Sequence, residues 1–492
     1  MASEADDADH VRRPAAGDGV PAAGRRRAPR AGPQGAARAM RAALSGLLGP
    51  GRVLDPPARA YCHDATLARG ISGRLDAVAL PGTAAEVAAV VGWSYDHDVP
   101  IIPRGGGSGL AGGAVPLDGG LVLSLERLVG VRAFDPLVWR IAVEAGMTTA
   151  ALRRRARESG LLYPPDPGAA EQSQIGGNIA TNAGGPHAFK YGVTGAWVTG
   201  LEVVLPPGEL VSLGGTVRKD AAGYDLKRLL VGSEGTLGVI TAASLRLIPA
   251  PEVELPVLVL YPDIQTGCAA IAGVLGSGLQ PATLEYLDGG ALAAASLHRP
   301  FPAPPPAGFA VIAAADGSTS EAARLRAELI EVLEDGSVGI HAPREPSAVA
   351  ELWGWRDTVH HAVIARRGGK LSEDIVVPVD RLAEAISETL EIGRRHDLEA
   401  CSWGHAGDGN LHSTFLIAPE QPAELARAEL AALELFALAD RLGGSISGEH
   451  GIGRVKTGQL RRTWPDALVA LHGRVKTAFD PKGLMNPGAK LP

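Results

Sequence analysis

Two histidines flanking a glycine-rich turn, and a glutamate–histidine pair in a later glycine-rich segment, are the residues of this sequence best suited to chemistry. The first segment reads Gly404-His405-Ala406-Gly407-Asp408-Gly409-Asn410-Leu411-His412, and the second reads Ser447-Gly448-Glu449-His450-Gly451-Ile452-Gly453. Neither segment has the periodicity of a helix, so these side chains are unlikely to be there only to pack a hydrophobic core. Taken singly, each histidine would more often be a surface or core residue. Together they indicate a metal site with a spare base beside it.

The Asp408-Gly409 pair predicts how the two histidines meet. Asp-Gly favours a two-residue hairpin turn, in which His405 pairs with His412. The two imidazoles would then stand opposite each other on one face, with Cβ atoms roughly 4.5–5.5 Å apart. Glu449 could add an oxygen from the later segment. Two histidines and one carboxylate leave open positions on the ion, which is typical of a catalytic divalent metal, and zinc and manganese both fit.

The first dense glycine loop, residues 103–113, is suited to a diphosphate. Gly107, Gly109 and Gly112 satisfy GxGxxG, but a nicotinamide-binding Rossmann loop must open a helix after its glycines. Here Pro116 and the glycines after it block a helix, and a strand follows, so that interpretation is rejected. A nest of backbone N–H groups for phosphate remains. The alternative is a merely flexible loop, in which so many glycines would be costly in entropy.

Two further loops could surround a planar ring. The turn Pro164-Pro165-Asp166-Pro167 precedes the segment 174–185, which combines small residues with amide and hydroxyl groups. Such a segment could approach a ring closely and hydrogen-bond its edge. A third loop follows at 232–238.

Alternating strands and helices must position these loops. In the first part of the chain the pattern predicts strands at 76–80, 99–103, 120–125, 139–143, 201–205 and 239–247, with helices at 84–97 and 148–160. Thr83 and Glu86 predict a capping box for the first helix. A boundary falls near residue 250. The second part predicts helices at 320–334, 346–366, 379–396 and 423–442.

Composition limits the class of protein. The chain has 492 residues, too many for one core, so about two to three domains are expected. A net charge of −7 gives no indication of nucleic acid or an anionic membrane as partner. The three cysteines are scattered, which argues against an internal iron–sulfur cluster and favours a reducing cytoplasm. No apolar run approaches the roughly 20 residues of a membrane span, and no signal peptide is recognised.

Eight ordered motifs between about residues 55 and 490 resemble one flavoprotein family. They are PRGGGSGLAGGAVP, YPPDP, IGGNIATNAGG, KYGVTG, AGYDLKRLLVGSEGTLGVIT, GHAGDGNLH, GEHGIGRVK and GLMNPG. The chain is similar to FAD-linked D-2-hydroxyacid dehydrogenases, a group that includes D-lactate dehydrogenases, D-2-hydroxyglutarate dehydrogenase and the D subunit of glycolate oxidase. This group lies within the vanillyl-alcohol oxidase / p-cresol methylhydroxylase (PCMH) superfamily.

The resemblance implies a set of FAD-binding residues. The pyrophosphate would lie at Arg104, Gly105, Gly106, Gly107, Ser108 and Gly109. The flavin and its linker would be lined by Asp166, Ser173, Gly177, Asn178, Thr181, Gly184 and Gly185. Glu234, Gly235 and Ile240 would border the adenine half, and Asn486 would return to the flavin. The first glycine loop offers no His or Cys for a covalent tether, so FAD is expected to be non-covalent.

The resemblance also assigns the base and the substrate cations. His450 would take the hydroxyl proton as hydride passes to flavin N5, a role suited to a neutral imidazole near pH 7. Arg356 would bind the substrate carboxylate, helped by Lys370, against the alternative of ordinary solvated charges. Two positions depart from the family: Thr414 stands where some members have Asn, and His360 replaces a substrate-side Thr. Substrate choice therefore does not transfer from the dicarboxylate-specific members.

The expected protein is an α+β, two-domain flavoprotein. A disordered tail (1–45) would precede a PCMH-type FAD-binding domain (46–249) and an α/β cap domain (250–447), and a C-terminal segment (448–492) would return to the flavin. The expected reaction is metal-assisted oxidation of a D-2-hydroxy acid to the 2-oxo acid. The alternatives are a non-catalytic FAD-binding or electron-transfer subunit of an oxidase complex and a metal-independent flavin alcohol oxidase.

The expected surroundings follow from that reaction. The electron acceptor would be separate: an iron–sulfur subunit, a quinone, a cytochrome or an electron-transfer flavoprotein. The protein would be cytoplasmic, with peripheral attachment at the inner membrane face and a homodimer left open.

Overall fold

Two sheets formed before residue 250 carry the glycine loops. The computed structural model describes residues 33–296, 299–302 and 307–492. The elements of this first part are α1 (Pro33–Leu48), β1 (Ala77–Ala79), α2 (Ala84–Asp96), β2 (Ile101–Arg104), β3 (Leu121–Ser124), β4 (Val131–Asp135), β5 (Arg140–Glu144), α3 (Thr149–Arg157), β6 (Leu161–Leu162), α4 (Ile175–Thr181), α5 (Ala188–Tyr191), β7 (Val198–Leu205), β8 (Glu209–Gly214), α6 (Leu226–Leu230), β9 (Val239–Arg246) and β10 (Ile248–Pro249). A parallel sheet has the order β1-β3-β2, and an antiparallel sheet has the order β4-β5-β9-β7-β8. The first glycine loop joins β2 to β3.

Helix α1 corrects the predicted extent of the disordered tail. Residues 33–45 of that prediction lie in the helix, because Leu44 and Leu48 are buried in one core with β1 and α2. The few large apolar residues near the end of the tail were therefore enough to anchor it. The remainder of the predicted tail, residues 1–32, lies outside the described residues.

Helix α2 shows how closely the local sequence sets an element. The Thr83 hydroxyl accepts the Glu86 N–H at 3.1 Å, as a helix cap does. The Glu86 carboxylate, however, accepts the Gly82 N–H at 2.6 Å, so the predicted reciprocal capping box is displaced by one residue. Val87, Val90 and Val91 form the apolar stripe that packs on the core.

One seven-stranded antiparallel sheet dominates the second part of the chain. Its elements are β11 (Val253–Tyr261), α7 (Ile264–Gly276), β12 (Thr283–Asp288), α8 (Gly289–Ala294), β13 (Phe309–Gly317), α9 (Thr319–Leu333), β14 (Gly339–His341), α10 (Pro346–Asp357), α11 (Val359–Arg367), β15 (Gly369–Val376), α12 (Leu382–Arg395), β16 (Ala400–His405), β17 (Asn410–Ile417) and α13 (Pro422–Arg441). The strand order is β14-β11-β13-β12-β16-β17-β15. Helices α7, α9, α12 and α13 cover one face, and α8, α10 and α11 cover the other. The helix predicted at 346–366 is thus two helices that meet at Thr358.

The C-terminal segment runs back to the first part of the chain through α14 (Thr457–Thr463) and α15 (Asp466–Phe479). Met485 bridges to Ile101 of β2. The Asn486 amide donates to the Gly113 and Glu234 carbonyls, both at 2.8 Å. The architecture mixes helices and sheets in two sheet-based parts, which confirms the expected α+β class. Within the described residues, no helix combines the length and apolar character needed to cross a bilayer.

Candidate active site

Four neighbouring strands of the cap sheet align one row of polar side chains. Glu285 of β12 is paired with His405 of β16, and His412 of β17 is paired with Asp374 of β15. Because paired residues point to the same face of a sheet, all four side chains share the face that also holds Trp403. Side chains on paired strands are more rigidly placed than side chains on loops. These four side chains therefore stand on paired strands rather than on loops.

The predicted register of the histidine hairpin is wrong. His405 pairs with Asn410, and His412 pairs with Trp403, so the turn has four residues, 406–409. Relative to the prediction, the pairing is shifted by two residues, since His405 faces Asn410 instead of His412. An even shift keeps both histidines on the same face of the sheet, but they are diagonal neighbours rather than directly opposite each other. Their ring centroids are 5.4 Å apart, and the rings are nearly perpendicular.

The predicted metal ligands converge. Glu449 Oε1 lies 3.4 Å from His405 Nε2 and 3.5 Å from His412 Nε2. One ligand atom from each residue lies within 4.8 Å of the other two. All three side chains are largely shielded from solvent. Two imidazole nitrogens and one carboxylate oxygen form a donor set that suits zinc or manganese and leaves positions for a substrate.

Glu285 is a functional residue that the sequence reasoning missed. The His405 Nδ1–H donates to Glu285 Oε1 at 2.5 Å, which directs Nε2 toward Glu449. A carboxylate behind a ligating histidine fixes its tautomer and ring orientation. Burial opposes ionisation of Glu285, but His405 and Arg356 outweigh it and lower its pKa to about 2. The available signal was an acid in the middle of the strand Thr283–Asp288, between Leu284 and Tyr286.

The same neighbours set the charge of His405 and Glu449. Burial disfavours charge on His405, yet Glu285 and Glu449 raise its pKa well above the usual value. Burial likewise opposes ionisation of Glu449, but His405 and then His412 and His450 lower its pKa to about 2. A positive charge on His405, between Glu285 and Glu449, is therefore favoured. A divalent ion bound to His405 Nε2 would supply that charge in place of the proton on Nε2.

Asp374 holds the loop that carries Glu449 and His450. Its carboxylate accepts the backbone N–H groups of Gly448 (3.0 Å), Glu449 (3.0 Å) and His450 (2.7 Å) and the side chains of Asn410 (2.6 Å) and Ser447 (2.9 Å). Asp374, His412 and His450 also form a possible ligand set. The Asp374 oxygens are already occupied by these donors, so the set with Glu449 fits an ion better. Asp374, like Glu285, was not among the site residues predicted from the sequence.

His450 stands beside the ligand set. Its ring stacks on His412, with centroids 5.3 Å apart and an interplanar angle of 8°. His450 Nε2 lies 3.8 Å from Glu449 Oε1, and Nδ1 lies 3.8 Å from Asp374 Oδ2. These distances are too long for hydrogen bonds.

The two predicted substrate cations flank this row differently. The Arg356 guanidinium binds Glu285 through Nε (3.0 Å) and Nη2, which uses two of its five N–H donors. The Lys370 ammonium lies 4.4 Å from the centre of the Trp403 ring. Burial lowers the pKa of Lys370 to about 8. Partial desolvation of His360, together with the charges of Lys370, His361 and His450, lowers its pKa to about 4, although more than a third of the residue is exposed.

The first glycine loop fits a phosphate-bearing cofactor. A Cβ at Gly106 would lie 1.9 Å from the Gln172 carbonyl oxygen, so only glycine allows this close approach of two backbones. Several buried polar atoms beside the loop have no hydrogen-bond partner among the described residues: Asp64 Oδ2, Gln174 Oε1 and Arg454 Nε. Of these, Arg454 Nε–H could donate to a phosphate oxygen of a ligand along the loop, whereas Asp64 Oδ2 and Gln174 Oε1 accept and would need a donor of that ligand, such as a hydroxyl.

Three predicted cofactor residues have side chains committed elsewhere. The Arg104 guanidinium donates to the carbonyls of Ala60 and His63, at 3.1 and 2.8 Å, and so braces the glycine loop. The Glu234 carboxylate accepts the N–H groups of Ile452 and Gly453, at 2.9 and 2.6 Å. Direct contacts of these two side chains with FAD are therefore not supported. Asp166 binds His187, a partner that the sequence reasoning missed.

The other predicted cofactor residues cluster around these. The Thr149 hydroxyl is hydrogen-bonded to the Ser173 hydroxyl at 2.8 Å and accepts from the Asn178 amide at 2.5 Å. A Cβ at Gly184 would lie 2.7 Å from Glu449 Oε2, so this loop abuts the metal ligand. A Cβ at Gly177 would meet open space. Asn486 is buried beside Glu234. The glycine loops and the ligand cluster thus face one common region.

Two family models match the two parts of the chain separately. Residues 75–214 match the family described as "FAD binding domain", and residues 250–489 match "FAD linked oxidases, C-terminal domain". The chain therefore belongs to the FAD-linked oxidases and is an FAD-linked oxidoreductase.

Several curated relatives span nearly the whole chain. The glycolate oxidase subunit GlcD of Bacillus subtilis is 36% identical over 433 residues, 87% of this chain and 91% of that protein. A D-lactate dehydrogenase of Anaerostipes hadrus is 33% identical over 455 residues, covering 90% and 95%. A D-2-hydroxyglutarate dehydrogenase of Xanthomonas citri pv. viticola is 37% identical over 425 residues, covering 84% and 88%.

A solved structure supports the fold. Substrate-bound p-cresol methylhydroxylase matches with a TM-score of 0.75 and 18% identity, covering 91% of this chain and 95% of that chain. At that identity the likeness concerns the fold alone, and it confirms the predicted PCMH-type architecture.

Proposed function

We propose that this protein oxidises a D-2-hydroxy acid to the corresponding 2-oxo acid, using non-covalent FAD and one divalent metal, zinc or manganese. The main support is the convergence of His405, His412 and Glu449 around one point with His450 beside them. The relatives named for glycolate, D-lactate and D-2-hydroxyglutarate support the substrate class.

The residues divide the work of this reaction. Bound flavin would supply the hydride acceptor, and a metal held by His405, His412 and Glu449 would supply an electrophile that acidifies the substrate hydroxyl. His450 accepts the hydroxyl proton, and the carboxylates of Glu449 and Asp374 stabilise the imidazolium that forms.

Arg356 and Lys370 hold the substrate carboxylate. Arg356 retains donors beyond those given to Glu285, and its planar group suits a carboxylate. Lys370 adds a second positive charge on the same side of the sheet as His412. Two cations on one carboxylate would fix the orientation of the Cα–H bond, and orientation contributes strongly to rate.

The electrons then pass to a separate acceptor. The B. subtilis relative is named a subunit, which supports a partner protein. The three cysteines of this chain are free and far apart in sequence. An iron–sulfur subunit, a quinone, a cytochrome or an electron-transfer flavoprotein would each serve.

The test is anaerobic bleaching of the flavin in the purified holoenzyme. D-lactate, glycolate and D-2-hydroxyglutarate are mixed with the enzyme, each chiral acid beside its L-enantiomer. At least one D-acid or glycolate is expected to reduce the flavin within seconds, and its L-counterpart far more slowly. If no 2-hydroxy acid bleaches a fully loaded enzyme, the proposed substrate class is wrong.

Lys370 gives a specific pH dependence. Its lowered pKa means that the ammonium is charged below about pH 8 and is lost as the pH rises through that value. The charged fraction of Lys370 therefore falls about tenfold between pH 7 and pH 9, and KM for the acid is expected to rise by about the same factor. Lys370→Arg should remove the rise because the guanidinium stays charged. An identical rise in Lys370→Arg would assign it to another group.

A further inference from the structure

The short segment 187–191, formed by His187 and helix α5, joins the FAD-binding part of the chain to the cap sheet. We propose that this segment, the α5 clamp, sets the position of the metal ligands against the flavin loop, with His187 as its positioning residue. The inference rests on the proposed function for its catalytic consequence, but the clamp itself stands on contacts between the two parts.

His187 joins carboxylates from both parts. Its ring Nδ1 and its backbone N–H both bind Asp166 of the flavin loop, the latter at 3.3 Å. Its Nε2 lies 3.1 Å from Glu254 Oε2 of β11. An imidazole can donate to two carboxylates only with both nitrogens protonated. Burial opposes that charge, but Asp166 and Glu254 outweigh it and raise the pKa of His187 to about 10.

The cap presents an acidic pair that needs such donors. Glu254 and Asp316 are directly opposite each other on β11 and β13, and like charges at such positions are destabilising. Asp316 accepts from the Lys190 ammonium and from the Tyr191 hydroxyl, the latter at 2.5 Å. The Asp316 side chain is only 1% exposed. The α5 clamp therefore neutralises an acidic pair that would otherwise weaken the cap sheet.

The clamp touches the histidine turn directly, and the two glycines that precede it in sequence lie against Glu449 and Asp166. The Phe189 ring packs against Gly407, in the turn between His405 and His412, so closely that a Cβ there would lie 2.4 Å from the ring. A Cβ at Gly185 would lie 2.6 Å from Asp166, and one at Gly184 would lie 2.7 Å from Glu449. Displacement of His187 would thus be transmitted to the histidine turn and to Glu449 together.

The experiment compares His187→Phe with His187→Arg in the holoenzyme. Phenylalanine keeps ring volume but removes both N–H donors, whereas arginine keeps charge and donors. His472→Phe, on α15 and stacked against Trp464, is the matched control. Backbone hydrogen–deuterium exchange is measured over 184–191 and 405–412, together with flavin and metal content, which are expected to stay at wild-type stoichiometry.

Exchange in both segments is expected to rise at least tenfold in His187→Phe and to stay near wild type in His187→Arg and His472→Phe. Flavin reduction at saturating substrate should fall about 10²-fold in His187→Phe, the cost of a displacement near 1 Å, while KM changes less than threefold.

Unchanged exchange over 405–412 in His187→Phe, or loss of rate in His187→Arg equal to that in His187→Phe, would overturn the clamp. Hydrogen–deuterium exchange is measured without substrate. If no hydroxy acid reduces the flavin, the proposed function is wrong, but the exchange data still test the clamp.

Discussion

Replacement of His450 with asparagine is expected to slow flavin reduction by a D-2-hydroxy acid by about 10²–10⁴-fold, which is the usual contribution of a positioned general base. At 1.36 kcal/mol per tenfold this equals about 3–5 kcal/mol of transition-state stabilisation. Asparagine can occupy similar space and hydrogen-bond, but it cannot take the proton. Stopped-flow absorbance under anaerobic conditions measures the rate directly.

The structure makes this substitution interpretable. The loop around His450 is held through its backbone N–H groups by Asp374, so removal of the imidazole leaves the loop's hydrogen bonds in place. Flavin and metal content should match wild type. His472→Asn makes the same chemical change on α15 and should leave the rate unchanged. A rate within threefold of wild type in His450→Asn would remove His450 as the base.

The sequence predicted the ligand set well because its information is local. His405 and His412 flank one short turn. Side chains on a strand alternate between the two faces, so a two-residue shift in the pairing leaves both histidines on the same face. The motifs around Glu449 and the first glycine loop are also contiguous. Each could be found without knowledge of which strands pair.

The turn itself depended on distant residues. A Cβ at Gly409 would lie 2.0 Å from the Val377 carbonyl oxygen, and Gly407 packs against Phe189. These tertiary contacts accompany the observed four-residue turn, and the turn preference of Asp-Gly takes no account of them. Neither contact partner is near the turn in sequence, so local turn chemistry gave the wrong register.

Glu285 and Asp374 were missed for the same reason: their partners are distant in sequence. Glu285 lies 120 positions from His405, and Asp374 lies 76 positions from the His450 N–H that it accepts. Each acts on a ligand or the base through strand pairing or loop contact. An acid in the middle of a buried strand suggests a buried partner, but the identity of that partner requires the fold.

Loss of the metal ion is expected to be as damaging as loss of the base. Dialysis against a strong chelator should lower flavin reduction by about 10³-fold, roughly 4 kcal/mol, because the hydroxyl loses its electrophile. Zinc or manganese added back should restore the rate, and which of them does so identifies the working ion. His412→Ala should purify with far less than one equivalent of metal, measured by inductively coupled plasma mass spectrometry.

Glu285→Gln separates orientation from ligation. The His405 Nδ1–H bond to Glu285 would persist with an amide oxygen but lose its charge, so metal affinity should fall about 10–100-fold while the site can still be filled at high metal concentration. Glu434→Gln alters a carboxylate that binds the remote His396 at 2.7 Å and should leave affinity unchanged.

Full activity in chelated wild-type protein shown to be metal-free would contradict the metal-assisted reaction. It would establish a metal-independent flavin oxidase, in which Glu449 and the two histidines act only as polar contacts to the substrate.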